Sequence, residues 1–123
     1  MIETIKATTE AKIARLNDSI FPDGTYNLDT MKPVEFSTGY QVTFSQIGDA
    51  YTDDEYEFLV AMFREMSSDG AVYAGKFGGY PEISFHFSNR DLAVKLAKKF
   101  NQYSVWNWKI YDNLITGGTG IRG

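Results

Sequence analysis

Predicted strands and helices follow one another from Tyr40 in an order that few folds accommodate. Residues 40–46 alternate between polar and apolar side chains, which is typical of a strand with one buried face. Thr52 and Glu55 have the spacing of a capping box, which satisfies backbone N–H groups at the start of a helix. The six predicted elements are, in order, a strand at 40–46, a helix after Thr52, strands at 71–77 and 82–87, a helix capped by Ser88 or Asn89, and a strand at 104–110.

This β-α-β-β-α-β order is that of the ferredoxin-like fold. The sequence therefore predicts an α+β protein with a ferredoxin-like core, in which a four-stranded antiparallel sheet carries both helices on one face. Residues 2–20 predict a further helix, which ends before Pro22–Gly24 and has an apolar stripe of Ile2, Ile5, Ile13, Leu16 and Ile20. We expect one structural domain, divided into a helical and irregular extension at 1–39, the core at 40–115 and a flexible glycine-rich tail at 116–123.

The alternation also predicts which side chains point away from the two core helices. Ile83, Phe85 and Phe87 share one face of their strand, and this face should pack under the helices. The outward residues would then be Gln41, Thr43 and Ser45 on the first strand and Glu82, Ser84 and His86 on the third. Because they are mostly polar, we expect this face to stay partly open and to act as the recognition surface. The N-terminal helix would then pack at the sheet edge, beside the core helices, or against a second copy in a homodimer.

The charge of the chain argues against a nucleic-acid partner. The net charge is −4; residues 1–70 carry a net of −8 and residues 71–123 a net of +4. Phosphate binding needs a basic face, and the outward sheet residues offer no aromatic platform for bases. The charge dipole could instead steer a protein partner, so we add Asp53, Asp54 and Tyr56, at the acidic start of the first core helix, to the candidate binding residues. Helix capping alone also explains these two acids.

Few residues suited to catalysis or metal binding are present. The chain has no cysteine and one histidine, His86, so the sequence predicts no metal site, no cofactor and no enzymatic activity. An enzyme built on His86 and nearby carboxylates stays as an alternative. The longest apolar run, Phe58–Phe63, is too short to cross a bilayer, and the first residues do not have the pattern of a secretory signal. We therefore expect a cytoplasmic protein without a membrane partner.

Two tryptophans on the last predicted strand have two interpretations. Trp106 and Trp108 share a face with Ile110, which favours a place in the core. If the strand exposes them, they would be strong anchors of a protein interface.

Residues 79–106 resemble small uncharacterised bacterial and bacteriophage proteins. The shared pattern is Glu82-Ile-Ser-Phe85, the alanine-containing helix Leu92–Gln102, and the apolar Ser104-Val-Trp106. The family usually has proline at position 83 and glycine at position 101, where this chain has Ile83 and Asn101. The resemblance implies no activity, and it suggests a bacteriophage-encoded accessory protein that binds and inhibits a host protein, such as one of a defence system, in the host cytoplasm. The alternative is a small-molecule-binding regulatory domain that uses the open sheet face.

Overall fold

A seven-stranded antiparallel sheet is the central feature of the computed structural model, which describes residues 5–44, 52–102 and 104–118. Within these ranges the chain forms α1 (Ile5–Leu16), β1 (Gly24–Asn27), β2 (Lys32–Val34), β3 (Tyr40–Thr43), α2 (Asp53–Met66), β4 (Tyr73–Lys76), β5 (Glu82–Phe87), α3 (Arg90–Lys99), β6 (Ser104–Asn107) and β7 (Asp112–Ile115). The strands lie in the order β2-β1-β4-β5-β3-β6-β7.

The predicted α+β class is confirmed, but the four-stranded ferredoxin-like core is wrong. Residues 24–34, expected to be irregular, form β1 and β2, and β1 extends the sheet beyond β4 through pairs such as Thr25 with Gly75. At the other side, the strand expected at 104–110 ends at Asn107, and the chain turns back as β7. The sheet therefore has three more strands than expected, and a third helix belongs to the fold.

The two hairpins at the sides of the sheet share one loop design. In both loops an asparagine at the end of the first strand, Asn27 or Asn107, accepts a hydrogen bond from the backbone N–H two residues later. The last loop residues, Met31 and Tyr111, have positive φ angles of 59° and 52°. Asparagine suits the first position because its side chain can take the place of a backbone acceptor in a tight turn.

The helices cover the sheet face that carries Val42, Phe85 and Phe87. The capping box predicted for α2 is formed: Thr52 Oγ1 accepts from the Glu55 N–H, and Glu55 Oε1 accepts from the Thr52 N–H. A cluster of aromatic rings joins α2 and the end of α3 to the sheet, and it consists of Phe44, Phe63, Phe85 and Phe100.

The N-terminal helix packs beside α2 and contributes to the core. Ile13 and Leu16 are buried, whereas Ile20 of the predicted stripe is 76% exposed, because α1 ends at Leu16 and the chain turns. Ile2 and the side chain of Ile5 lie outside the described parts of the structure. The buried ammonium group of Lys76 on β4 donates to the carbonyl oxygens of Asp18 and Phe21, at 2.9 and 2.7 Å, and so ties the turn after α1 to the sheet.

Candidate functional site

A short connection crosses the polar face of the sheet, on the side opposite α2 and α3. Residues 35–39, which we call the strap, link β2 at the edge of the sheet to β3, and β1, β4 and β5 lie between these two strands. The Phe36 ring contacts Tyr73 on β4, His86 on β5 and Trp108 after β6. The strap therefore covers one end of the face that the sequence predicted to be open.

The imidazole of His86 is held on all sides under the strap. Its Nε2 lies 2.7 Å from the carbonyl oxygen of Thr38, and because a carbonyl only accepts, Nε2 is the donor. Its Nδ1 lies 2.5 Å from Ser68 Oγ, and the Phe36 ring is stacked on it with a centroid separation of 3.9 Å. Gly39 leaves no room on the remaining side, since a β-carbon there would overlap the imidazole. His86 is thus buried in the fold and is not available at the surface.

Ser68, His86 and the carbonyl group of Thr38 follow one another in the order of groups found in nucleophilic hydrolases. These groups are a hydroxyl, an imidazole and an acceptor that orients the imidazole. Ser68 also donates its backbone N–H to the His86 carbonyl oxygen at 2.8 Å, and its hydroxyl oxygen lies 3.1 Å from the same carbonyl oxygen. The adjacent carboxylate, Asp69, accepts a hydrogen bond from the Tyr73 hydroxyl, and burial together with this bond raises the pKa of Tyr73. These contacts anchor the loop after α2 to the sheet.

A buried network of three polar side chains lies beside the strap. The Thr25 hydroxyl donates to Gln41 Oε1 at 3.0 Å, and Gln41 Nε2 donates to Ser84 Oγ at 2.9 Å. Two strands separate β1 from β3, so these strands would be about 14 Å apart in a flat sheet. The side chains of Thr25 and Gln41 together cannot span this distance in a flat sheet. The sheet therefore curves towards its polar face. Gly75 on β4 helps, because it has no side chain to block Gln41.

A groove of about 390 Å³ occupies the open end of this curved face. Gln41 and Thr43 of β3 line it, together with two aromatic residues from either side, Phe77 after β4 and Trp106 on β6. The remaining lining residues are polar: Glu82, Gln102, Ser104 and Asn113. Glu82 is thus the one ionisable side chain among the described residues that line the groove.

Part of the predicted site comes together in this groove. Gln41, Thr43 and Glu82 line it, whereas Ser84 is buried beside Gln41 and His86 is under the strap. Ser45 lies outside the described residues. The three candidates on α2 are on the opposite side of the sheet: Asp53 and Asp54 are exposed in its first turn, and Tyr56 is 1% exposed in the core.

Sequence reasoning missed the aromatic sides of the groove. Trp106 was expected in the core, but it pairs with Gln41 across β6 and β3 and is half-buried on the polar face. The structure buries Val105 under the helices, so its neighbours on β6 face the other way, whereas the alternation in the sequence alone left both faces open to Trp106. Phe77, 64% exposed, lies at the end of a predicted strand, and its position gave no sign that it borders a groove.

The chain matches no protein-family model, no curated protein and no solved structure. Among the described residues, no helix has the length and apolarity needed to cross a bilayer. The described residues also contain no cluster of three or more histidine, aspartate or glutamate side chains that could bind a metal ion. The geometry of the polar face is therefore the basis on which a function can be argued.

Proposed function

We propose that this protein is a non-catalytic binding protein that holds a protein partner in the groove on its polar sheet face. The observation that carries the proposal is a preformed groove between two aromatic side chains, Phe77 and Trp106. Tryptophan in a partly enclosed position is the kind of residue that dominates binding energy at protein interfaces.

Exposed apolar side chains beside the groove favour a protein as the partner. Phe77 is 64% exposed, and Ile115 on β7 is 55% exposed. Ile115 pairs with Ser104, a lining residue, and so lies on the same face of the sheet as the groove. Exposed apolar side chains with polar residues around them are a recurring feature of protein interaction sites.

The resemblance of residues 79–106 to small uncharacterised bacterial and bacteriophage proteins suggests where the partner comes from. A small accessory protein of a bacteriophage would act on a protein of the host cell, and occupation of that protein's surface would inhibit it. Inhibition by binding requires no catalytic group.

A small-molecule ligand is the second candidate for the same groove. The volume of about 390 Å³ favours it, because sites for small molecules measure about 300–1,000 Å³. In that case the protein would be a regulatory domain that responds to a metabolite.

Affinity capture with two matched variants tests the proposal. Phe77→Ala removes one side of the groove, whereas Phe58→Ala removes an equally exposed phenylalanine, 68% against 64%, from α2 on the opposite side of the sheet. We expect a protein from a host lysate to be retained by the wild type and by Phe58→Ala and to be lost with Phe77→Ala. Equal retention by all three proteins would contradict the groove as the binding site. Native mass spectrometry of the purified protein would reveal a bound small molecule instead.

A further inference from the structure

We propose that Ser68 is a nucleophilic serine that takes an acyl group from a neutral ester, with His86 as its general base. The serine lies in the loop after α2, at the end of the polar face that the strap closes. The groove occupies the other end of this face. The inference therefore goes beyond the proposed function and does not depend on it.

Ser68 is the accessible member of the pair. It is exposed in the loop between α2 and β4, whereas His86 is 7% exposed. A reagent can therefore approach the serine from solvent without entering the space under the strap. The enclosed imidazole can act on such a reagent only through the hydroxyl that it contacts.

The hydrogen bonds of the pair place the protons where a general base requires them. The Thr38 carbonyl oxygen only accepts, so the neutral imidazole carries its hydrogen on Nε2 and leaves Nδ1 unprotonated. Ser68 Oγ lies 2.5 Å from Nδ1 and 3.1 Å from the His86 carbonyl oxygen, so the hydroxyl donates to Nδ1. The backbone N–H of Ser68 donates to the same carbonyl oxygen at 2.8 Å and fixes the serine in this position.

Two contacts stabilise the positive charge that His86 gains when it takes the proton. The hydrogen bond from Nε2 to the Thr38 carbonyl oxygen strengthens when its donor becomes a cation. The Phe36 ring is stacked on the imidazole at 3.9 Å between centroids, and the face of an aromatic ring attracts a cation. Both contacts are already formed in the neutral state, so proton transfer requires no rearrangement around the imidazole.

The reaction is the transfer of an acyl group to the serine. As Ser68 Oγ forms a bond to the carbonyl carbon of the ester, the hydroxyl proton moves to His86 Nδ1. The bond between this carbon and the leaving oxygen then breaks, and the leaving oxygen keeps the electron pair. The proton passes from Nδ1 to the leaving oxygen, so the products are an acylated serine and an alcohol.

Negative charge beside Ser68 favours a neutral acyl donor. Asp69 is the next residue, is exposed, and accepts a hydrogen bond from the Tyr73 hydroxyl at 2.5 Å. Burial, this hydrogen bond and the charges of Asp69 and Asp29 together raise the pKa of Tyr73, so both carboxylates act on this part of the surface. An anionic donor such as a phosphate ester would be repelled here.

Reaction with p-nitrophenyl acetate, stopped with acid and followed by peptide mass spectrometry, tests the inference. Ser37 is an internal control, because it is exposed on the strap and both imidazole nitrogens have other partners. A positioned general base accelerates a reaction about 100-fold or more, so we expect acetylation of Ser68 to be about 100-fold faster than that of Ser37. This comparison is made in the wild type and needs no variant to fold.

Three variants assign the effect to individual groups. Ser68→Ala keeps the backbone N–H that donates to the His86 carbonyl oxygen, and it should abolish the fast release of p-nitrophenolate. Ser67→Ala removes the neighbouring hydroxyl, which donates to the Arg64 carbonyl oxygen, and should preserve the fast release. His86→Gln should slow acetylation of Ser68 to the rate of Ser37.

Three results would overturn the inference. The first is acetylation of Ser68 no faster than that of Ser37 in the wild type, which would show that the hydroxyl is not activated. The second is equal release of p-nitrophenolate by Ser68→Ala and Ser67→Ala. The third is acetylation of Ser68 at the wild-type rate in His86→Gln, which would show that the imidazole is not the base.

Discussion

The ring of Phe36 lies flat on the imidazole of His86, with ring centroids 3.9 Å apart and an angle of 16° between the planes. This contact joins a residue of the strap to the middle of the sheet. It closes one end of the polar face, and the groove occupies the other end. The histidine that the sequence offered as a site residue thus has a structural role, and the groove next to it stays accessible.

Phe36→Ala should therefore destabilise the protein. The variant removes the contacts of the ring with Tyr73, His86 and Trp108, and we expect the free energy of unfolding to fall by about 2 kcal/mol for this half-buried side chain. Chemical denaturation measures the change. Ser37→Ala is the control, since Ser37 is exposed on the same strap, and it should stay within about 0.5 kcal/mol of wild type. Equal effects of the two variants would mean that the strap does not depend on the Phe36 ring.

Gly39→Ala should be more harmful than its small volume suggests. Gly39 has a φ of 91°, and a β-carbon there would overlap the imidazole of His86. We expect a loss of about 3 kcal/mol in the free energy of unfolding, or failure to fold. Gly79→Ala, at a position with open space around it, should have little effect.

A double-mutant cycle identifies the cause of this loss. In a His86→Ala background the overlap is gone, so Gly39→Ala should cost at least about 1 kcal/mol less than in the wild type. An identical cost in both backgrounds would show that backbone strain at φ 91°, and not His86, makes glycine necessary.

Local signals in the sequence predicted the parts of the fold that are stabilised locally. The capping box at Thr52 and the strand at 82–87 were both correct, because caps and a long alternating strand are specified by neighbouring residues. The strands β1, β2 and β7 have three or four residues each and depend on pairing with distant strands. These three strands also carry glycine, proline, aspartate or asparagine, which are depleted in strands, so the sheet was predicted to be too small.

The candidate site was predicted in part for the same reason. Alternation correctly placed Gln41 and Ser84 on the face away from α2 and α3. It could not show that the strap would cross this face, that Gln41 would reach Thr25, or that the sheet would curve. The crossing depends on the path of residues 35–39, in which no local pattern marks it, and the other two features depend on contacts between strands that are distant in the sequence.

The two tryptophans should respond differently to truncation. Trp108 is 5% exposed and packs against Phe36, so Trp108→Ala should cost about 3–5 kcal/mol in the free energy of unfolding. Trp106 is half-buried in the groove, and Trp106→Ala should cost about 1–2 kcal/mol and leave the fold intact. Thermal melts and circular dichroism measure both effects. A larger loss for Trp106→Ala than for Trp108→Ala would mean that the groove is part of the stabilising core.

Tyr56 makes stability sensitive to alkaline pH. Its side chain is buried between α1 and α2, and burial, aided by the negative charge of Glu10 and opposed by a hydrogen bond with Thr9, raises its pKa to about 12 from the usual 10.0. The folded state therefore favours the neutral phenol, and the unfolded state loses its proton first.

The contribution of Tyr56 should be complete below pH 10 and should decline between pH 10 and about 12, with a limiting slope of about 1.4 kcal/mol per pH unit. Above that range the folded state ionises as well, and no further loss is expected from this group.

Tyr73 and Tyr26 also have raised pKa values, so the measurement is the difference between the wild type and Tyr56→Phe in denaturation experiments at a series of pH values. Tyr56→Phe should lose less stability than the wild type over this window, whereas Tyr80→Phe, at a position 58% exposed, should follow the wild type. Parallel curves for Tyr56→Phe and the wild type would show that the hydroxyl ionises as easily in the folded protein as in the unfolded chain.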